Sequence, residues 1–434
     1  MERIRWPAAS RRAIALILFA SALARVSAAS AQTTPSPPLD AASDLDALVR
    51  EGMACNPGVI AARERRDALE RAPIQARTLP DPQLQLQEFT VGSPQPGAGY
   101  ETSDFYYTGF GASQEIPGPG KLRLRGAIAE QDAEVARRQY EAAQRQAAEN
   151  IRESYFELFY LARTITLLKR ERGDLAHIER IAEARYRLNQ AQAQDVLKAQ
   201  LQATRMLNEI EHHHREMRQR QADLKAALGR DLDSPNIPIG NIEPTRVELT
   251  DAQLERAVKE HSTDVMADRA AEERAEKALA LARKGYVPDF TLGYMYQKTG
   301  PGFRDYYMLT LGAKIPLYFW RRQTPAIEQA ELDRAGALSR IRADELDADA
   351  SGENQLVAIR TADRVLGIYR QGLIPQAENS MRAALAAYQV SKADFQTLIS
   401  SFIDLLNVRE EYYRELADHE IAVAKLEQIV GELK

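Results

Sequence analysis

Between Pro119 and Pro235 the chain has no proline, and apolar residues recur at helical spacing. Only residues 189–194, Asn-Gln-Ala-Gln-Ala-Gln, lack an apolar side chain larger than alanine. The stretch therefore reads as a helix of about 65 residues ending near Leu188, a tight turn, and a second helix ending near Leu228. At roughly 1.5 Å per residue the first helix is on the order of 100 Å long. A helix of that length belongs in a coiled coil or a tube of helices rather than in an ordinary globular core. Composition agrees: only 7% of residues are aromatic and 27% are charged, and Ala, Glu, Gln, Arg and Leu dominate the long tracts.

Ahead of this stretch the periodicity changes. Two helices, Asp44 to Ala54 and Pro57 to Arg77, are divided by Cys55-Asn56-Pro57. In Gln83 to Phe89, Leu84 and Leu86 point one way and Gln83, Gln85 and Gln87 the other, which is the period of a strand. A Gly/Pro loop, Val91 to Ser103, separates it from a second strand ending near Gln114. The scheme then recurs. After a connector in which Thr250 and Asp251 can cap a short helix, a longer helix runs to Gly285. Phe290, Leu292, Tyr294 and Tyr296 share one strand face; Tyr307, Leu309, Leu311, Ala313 and Ile315 share another. A further helix of about 60 residues runs from Pro325 to Tyr388.

Both strand hairpins end on Ile-Pro, Ile116-Pro117 and Ile315-Pro316. One interval separates Tyr186 from Tyr388, Val196 from Leu398 and Leu197 from Ile399. These matches define a duplicated unit. The first repeat spans 44–228, with a strand hairpin at 83–114 and a long helical hairpin at 121–228. A connector covers 229–250. The second repeat spans 251–434, with a strand hairpin at 290–315 and a long helical hairpin at 325–433.

Residues 1–31 read as a secretory signal: Arg3, Arg5, Arg11 and Arg12 precede the apolar run from Ala13, and Ala29-Ser30-Ala31 is a small-x-small cleavage pattern. Residues 32–43 are a Pro/Ser linker. Cys55, the only cysteine, excludes an internal disulfide framework and lies too far from the cleavage point to carry lipid; a small buried side chain is its expected role. The net charge of −5 points to neither nucleic acid nor a polybasic membrane tether.

In the last helix, Phe395, Leu398, Phe402, Leu405, Tyr412, Leu416, Val423, Leu426, Val430 and Leu433 form a heptad seam interrupted by Arg409 and His419. Such a helix packs lengthwise on a partner, most simply the helix before the turn. The strands, each about ten residues, are long enough to cross a bilayer when tilted. Their apolar and polar faces match the lipid-out, water-in alternation of an outer-membrane barrel. A spanning sheet must close, because unpaired edges are not tolerated in hydrocarbon. Four strands cannot close, since the smallest barrels have eight, so a membrane-crossing chain must oligomerise; twelve strands from three copies leave a water-filled lumen more readily than eight from two. The competing reading is a soluble periplasmic coiled-coil scaffold with two hairpins packed on helices.

The arrangement resembles the TolC-type outer-membrane efflux protein family over residues 40–434, on the two strand hairpins, the two long helical hairpins and the paired turns after Tyr186 and Tyr388. The segment Ile116 to Leu122 is similar to that of members serving heavy-metal efflux pumps. The resemblance implies a homotrimer: a 12-stranded β-barrel in outer-membrane lipid, four strands per chain, continuing into a long periplasmic α-helical barrel. It also implies a periplasmic adaptor and an inner-membrane RND-type pump as partners. It makes Pro117 and Pro316 the barrel–tunnel junction, with Lys121, Arg123, Arg125, Arg321 and Arg322 either near the lipid headgroups or simply solvated. It places the adaptor-docking tips at Tyr186, Asn189, Tyr388 and Ser391. The family usually carries glycine where this chain has Asn189 and Ser391. The tunnel entrance falls at Thr397 and Ser400, positions that hold aspartate in some members, with Asp404 one turn on.

No sequence motif marks an enzyme or a cofactor site. His212-His213-His214 invites a metal reading, but consecutive helical residues point in different directions and cannot converge on one ion. The expectation is therefore a passive exit duct for a tripartite efflux pump, with no catalytic, cofactor or metal site. Its cargo is either heavy-metal cations or the broader range of a multidrug duct.

Overall fold

A computed structural model describes residues 44–90, 106–300 and 302–431. The expected signal peptide, the linker, the Val91–Ser103 loop and Leu433 lie outside these residues. Three short helices lead: α1 (Leu45–Cys55), α2 (Pro57–Leu69) and α3 (Ala72–Arg77). The 57–77 helix is thus broken at Glu70-Arg71, and Pro73 takes the first turn of α3, where a missing N–H costs least. Asn56 ends α1 and caps α2, its side chain accepting from Gly58 N at 2.8 Å. Cys55 is exposed rather than buried, because α1 ends there and turns its last residue outward.

Strands β1 (Gln83–Thr90) and β2 (Tyr106–Ile116) form the first hairpin, and β2 runs through Ile116 so that Pro117 follows directly. Then come α4 (Lys121–Arg187) and α5 (Ala193–Ala227). A connector leads to α6 (Asp251–His261), which a Thr250–Gln253 capping box starts, and to α7 (Thr263–Arg283). Strands β3 (Asp289–Thr299) and β4 (Tyr306–Lys314) precede α8 (Gln323–Ile368), α9 (Ile374–Gln389) and α10 (Phe395–Val430). The helix read as continuous from Pro325 to Tyr388 begins at Gln323 and is interrupted by a π-helical turn, Tyr369–Leu373. Pro375 explains the interruption: its ring crowds the carbonyl four residues back and it donates no hydrogen bond, and the wider π turn relieves both.

The α10 seam packs on more than the helix before its turn. Leu398 and Phe402 are buried with Leu168, Leu175 and Ile178 of α4 and Met206 of α5. Farther along, Val423 and Leu426 pack with Leu356 and Ile359 of α8 and with Leu254 and Val258 of α6. Each such fully buried side chain contributes roughly 1.5–3 kcal/mol. Both interruptions of the seam are ion-paired. Arg409 bridges Glu171 of α4 and Glu378 of α9, tying three helices. Burial pushes the Glu171 carboxyl up even so, because the partly exposed Arg409 does not fully repay desolvation. His419 is fully buried, with Nδ1 2.8 Å from Glu420 Oε1 and Nε2 3.3 Å from Asp363. Burial alone would lower its pKa, but the two carboxylates outweigh it and the ring titrates above its ordinary value. Glu420 also accepts from Thr245 N at 2.7 Å and Thr245 Oγ1 at 2.8 Å, fastening the connector to α10.

Candidate functional site

The four strands form one antiparallel sheet in the order β1-β2-β3-β4, joining the two repeats at the β2–β3 pair. Register builds two chemically distinct faces. One carries the rows Leu84–Ala112–Tyr294–Leu309 and Leu86–Phe110–Tyr296–Tyr307, with Leu292 beside Leu311. These side chains are exposed in the single chain, Leu86 at 79% and Leu311 at 77%. The other face carries Gln85–Gly111–Met295–Met308 and Gln87–Gly109–Gln297–Tyr306. On this face Met295 and Gln297 are buried. A Cβ on Gly111 would lie 2.5 Å from the Tyr294 carbonyl oxygen, so the glycine is what lets β2 and β3 approach and curl. β1 and β4 are the outer strands of the sheet, each with one edge unpaired among the described residues. No helix among the described residues is long and apolar enough to cross a membrane.

At the end of the strands next to the long helices the two Ile-Pro transitions differ. Pro117 is buried, and Gly118 N donates to Asp289 Oδ1 at 2.7 Å. Lys121 Nζ donates to the same oxygen at 2.7 Å and to Val287 O at 2.8 Å. Asp289 at the start of β3 thus pins the start of α4 to the second repeat. Lys121 is spent on this partly buried pair and does not reach toward headgroups, whereas Arg123, Arg125, Arg321 and Arg322 are exposed. A Cβ on Gly118 would meet the Pro288 carbonyl oxygen at 2.7 Å, and Gly120 takes φ +86° to begin α4. The second transition is bulky instead. Pro316 is half-buried and is followed by Leu317, Tyr318, Phe319 and Trp320, all exposed.

At the far end the two helical hairpins turn side by side. Asn189 and Ser391 have φ of 59° and 60°, so both adopt the left-handed backbone that glycine takes most easily. Both turns close alike: Gln190 N donates to Arg185 O, and Lys392 N to Ala387 O, each at 2.8 Å. Arg185 of α4 links them. Its Nη2 donates to Ser391 Oγ at 2.6 Å and to Gln190 O at 3.2 Å, and its guanidinium lies 4.4 Å over the Tyr388 ring. Tyr388 is buried and donates to Asp195 Oδ2 of α5 at 3.4 Å; burial, then the Asp195 charge, raise its pKa. Tyr186, by contrast, is exposed. Nothing within either hairpin's own pattern marks Arg185 or Asp195 as a tip residue. The signal was the exception in the repeat: the partner of Arg185 in the second copy is Ala387, so the arginine is not part of the common turn.

Thr397, Ser400 and Asp404 are exposed along one side of α10. Thr397 is committed to its helix start, its N–H donating to Asp394 Oδ1 at 2.8 Å and its hydroxyl at 2.6 Å. Ser400 Oγ lies 3.5 Å from Gln396 Nε2. The three histidines diverge. His212 is exposed, whereas His213 faces other helices, with Nε2 3.9 Å from Glu410 and its ring beside Tyr160. Among the described residues no cluster of three or more His, Cys, Asp or Glu has a metal-binding arrangement.

A family model described as outer membrane efflux protein matches residues 48–230 and 254–432. No curated protein matches the sequence. Solved structures share the fold at low identity. CusC is 14% identical with a TM-score of 0.79, covering 91% of this chain and 95% of that one. The outer membrane protein VceC of Vibrio cholerae is 18% identical with a TM-score of 0.75, covering 89% and 96%. The MtrE outer membrane channel of Neisseria gonorrhoeae, in its open state, is 15% identical with a TM-score of 0.73, covering 89% and 88%.

Proposed function

The chain belongs to the outer membrane efflux protein family, and from that premise we propose that three copies share one twelve-stranded barrel and one helical tunnel, forming the exit duct of a tripartite efflux pump. The observation that carries this reading is the sheet: four strands, an outward apolar face and two edges that no described residue pairs. In a bilayer those edges must pair with another copy. Because β1 and β4 run antiparallel to each other, successive copies join edge to edge without breaking the alternation. The helices support the same reading. Leu332, Leu346, Val357 and Ile368 are exposed and fall on one stripe of α8, and Leu197 and Leu201 are exposed on α5; neighbouring copies would cover such surface.

Transport through this duct is passive. An inner-membrane pump supplies the energy, and the tips at Asn189 and Ser391 meet a periplasmic adaptor. Thr397, Ser400 and Asp404 line the entrance in this reading, so selectivity there is weakly acidic and set chiefly by width. The Ile116–Leu122 segment favours metal cations as cargo. Deletion of the gene followed by sensitivity testing checks cargo and function together. Sensitivity restricted to metals is expected; sensitivity to dyes and antibiotics alone would assign a multidrug duct, and an unchanged phenotype with full recovery of the protein in the soluble periplasmic fraction would reject the duct.

A further inference from the structure

We propose that the Leu317–Arg322 turn is a membrane anchor that docks into the periplasmic leaflet of the bilayer and fixes the depth of the channel. The proposal rests on the reading of the sheet as lipid-facing. The exposed face of β4, Tyr307, Leu309, Leu311, leads toward Ile315, which is also exposed. The turn then presents Leu317, Tyr318, Phe319 and Trp320 to the outside, with Trp320 at 55% exposure, followed by Arg321 and Arg322. Along the chain the order is aliphatic, aromatic, cationic, which is the order of hydrocarbon, interface and phosphate met when leaving a bilayer. The aromatic rings brace one another rather than the core: Phe319 and Trp320 centroids lie 5.2 Å apart, Tyr318 and Trp320 6.0 Å, and Phe319 and Tyr286 6.2 Å. The turn is closed by two backbone hydrogen bonds, Gln323 N and Thr324 N both donating to Phe319 O. Arg321 and Arg322 have no carboxylate within ion-pair distance among the described residues, so their charge is available to lipid phosphate. The first repeat has Gly118-Pro119-Gly120 in this place, so each copy carries one anchor and not two.

Only two tryptophans occur, Trp6 and Trp320, so Trp6→Phe makes Trp320 the sole reporter whether or not residues 1–31 are removed. The detergent-purified full chain with this change is reconstituted into vesicles containing phospholipids brominated either just below the ester carbonyls or near the chain ends. Shallow bromines are expected to quench Trp320 at least about twofold more than deep ones, as for an interfacial ring. A Leu309→Trp reporter, made in a chain also carrying Trp6→Phe and Trp320→Phe, should show the reverse. If Leu309→Trp is quenched and Trp320 is not, the anchor is wrong while the barrel stands. If neither reporter is quenched, the lipid-facing reading of the sheet fails and the anchor fails with it.

Discussion

Replacing Gly111 with valine is expected to remove the assembled channel from the outer membrane, cutting the folded, heat-modifiable form at least about tenfold, because overpacking a close backbone contact costs roughly 1–3 kcal/mol at each copy and every copy carries it. The contact is specific. A Cβ there would sit 2.5 Å from the Tyr294 carbonyl oxygen and 2.9 Å from Met295 Cα, both backbone atoms that cannot rotate away. Gly109, two residues earlier on the same face, is the control. Its added Cβ would meet the sulfur of Met295 at 3.0 Å, and a thioether can shift. Gly109→Ala should therefore assemble nearly normally. If Gly111→Val assembles as well as Gly109→Ala, the sheet is not closed as tightly in the membrane as this curl requires.

The second large effect is expected at the tips. Arg185→Ala removes the side chain that holds the α4–α5 turn to Ser391 and Tyr388. The stacked cation contributes about 0.5–2 kcal/mol. The hydrogen bond from the charged guanidinium to Ser391 contributes about 1.5–3 kcal/mol. On the proposed reading, in which the tips form the entrance of the duct and can close it, such a sum, lost at each copy, is enough to shift closed against open by an order of magnitude or more. Reconstituted in planar bilayers, the variant should spend severalfold more time in its high-conductance state than the unmodified channel. Arg185→Lys keeps the charge but loses the planar stack and should fall between the two. Tyr388→Phe, which removes only the hydroxyl that reaches Asp195 at 3.4 Å, should have a smaller effect. Unchanged gating in Arg185→Ala would show that the two hairpins are held together elsewhere, for instance at Arg409.

Periodicity made much of this architecture readable. The 67-residue α4 and the alternation of the strands follow from patterns repeated many times over, so no single residue had to be interpreted correctly. Single-residue features were harder. Pro375 was visible, yet nothing local reveals that a π turn lets the helix continue past it. Lys121 lies in a basic run and looked like its neighbours. Its partner Asp289 is far along the chain, and only the sheet order brings the two together. The residue type of Cys55 points to the interior, but the end of α1 decides its exposure. Arg185 and Asp195 belong to the tip only because two hairpins pack side by side, an arrangement that spacing within one hairpin does not encode.

The sheet supplies too few strands to enclose anything by itself, so the number of chains per particle is the decisive quantity. Light scattering on the purified protein in mild detergent, corrected for bound detergent, measures it directly. Three chains per particle is the predicted result; a stable, monodisperse single chain that stays soluble once the detergent is removed would contradict the shared barrel and the duct built on it.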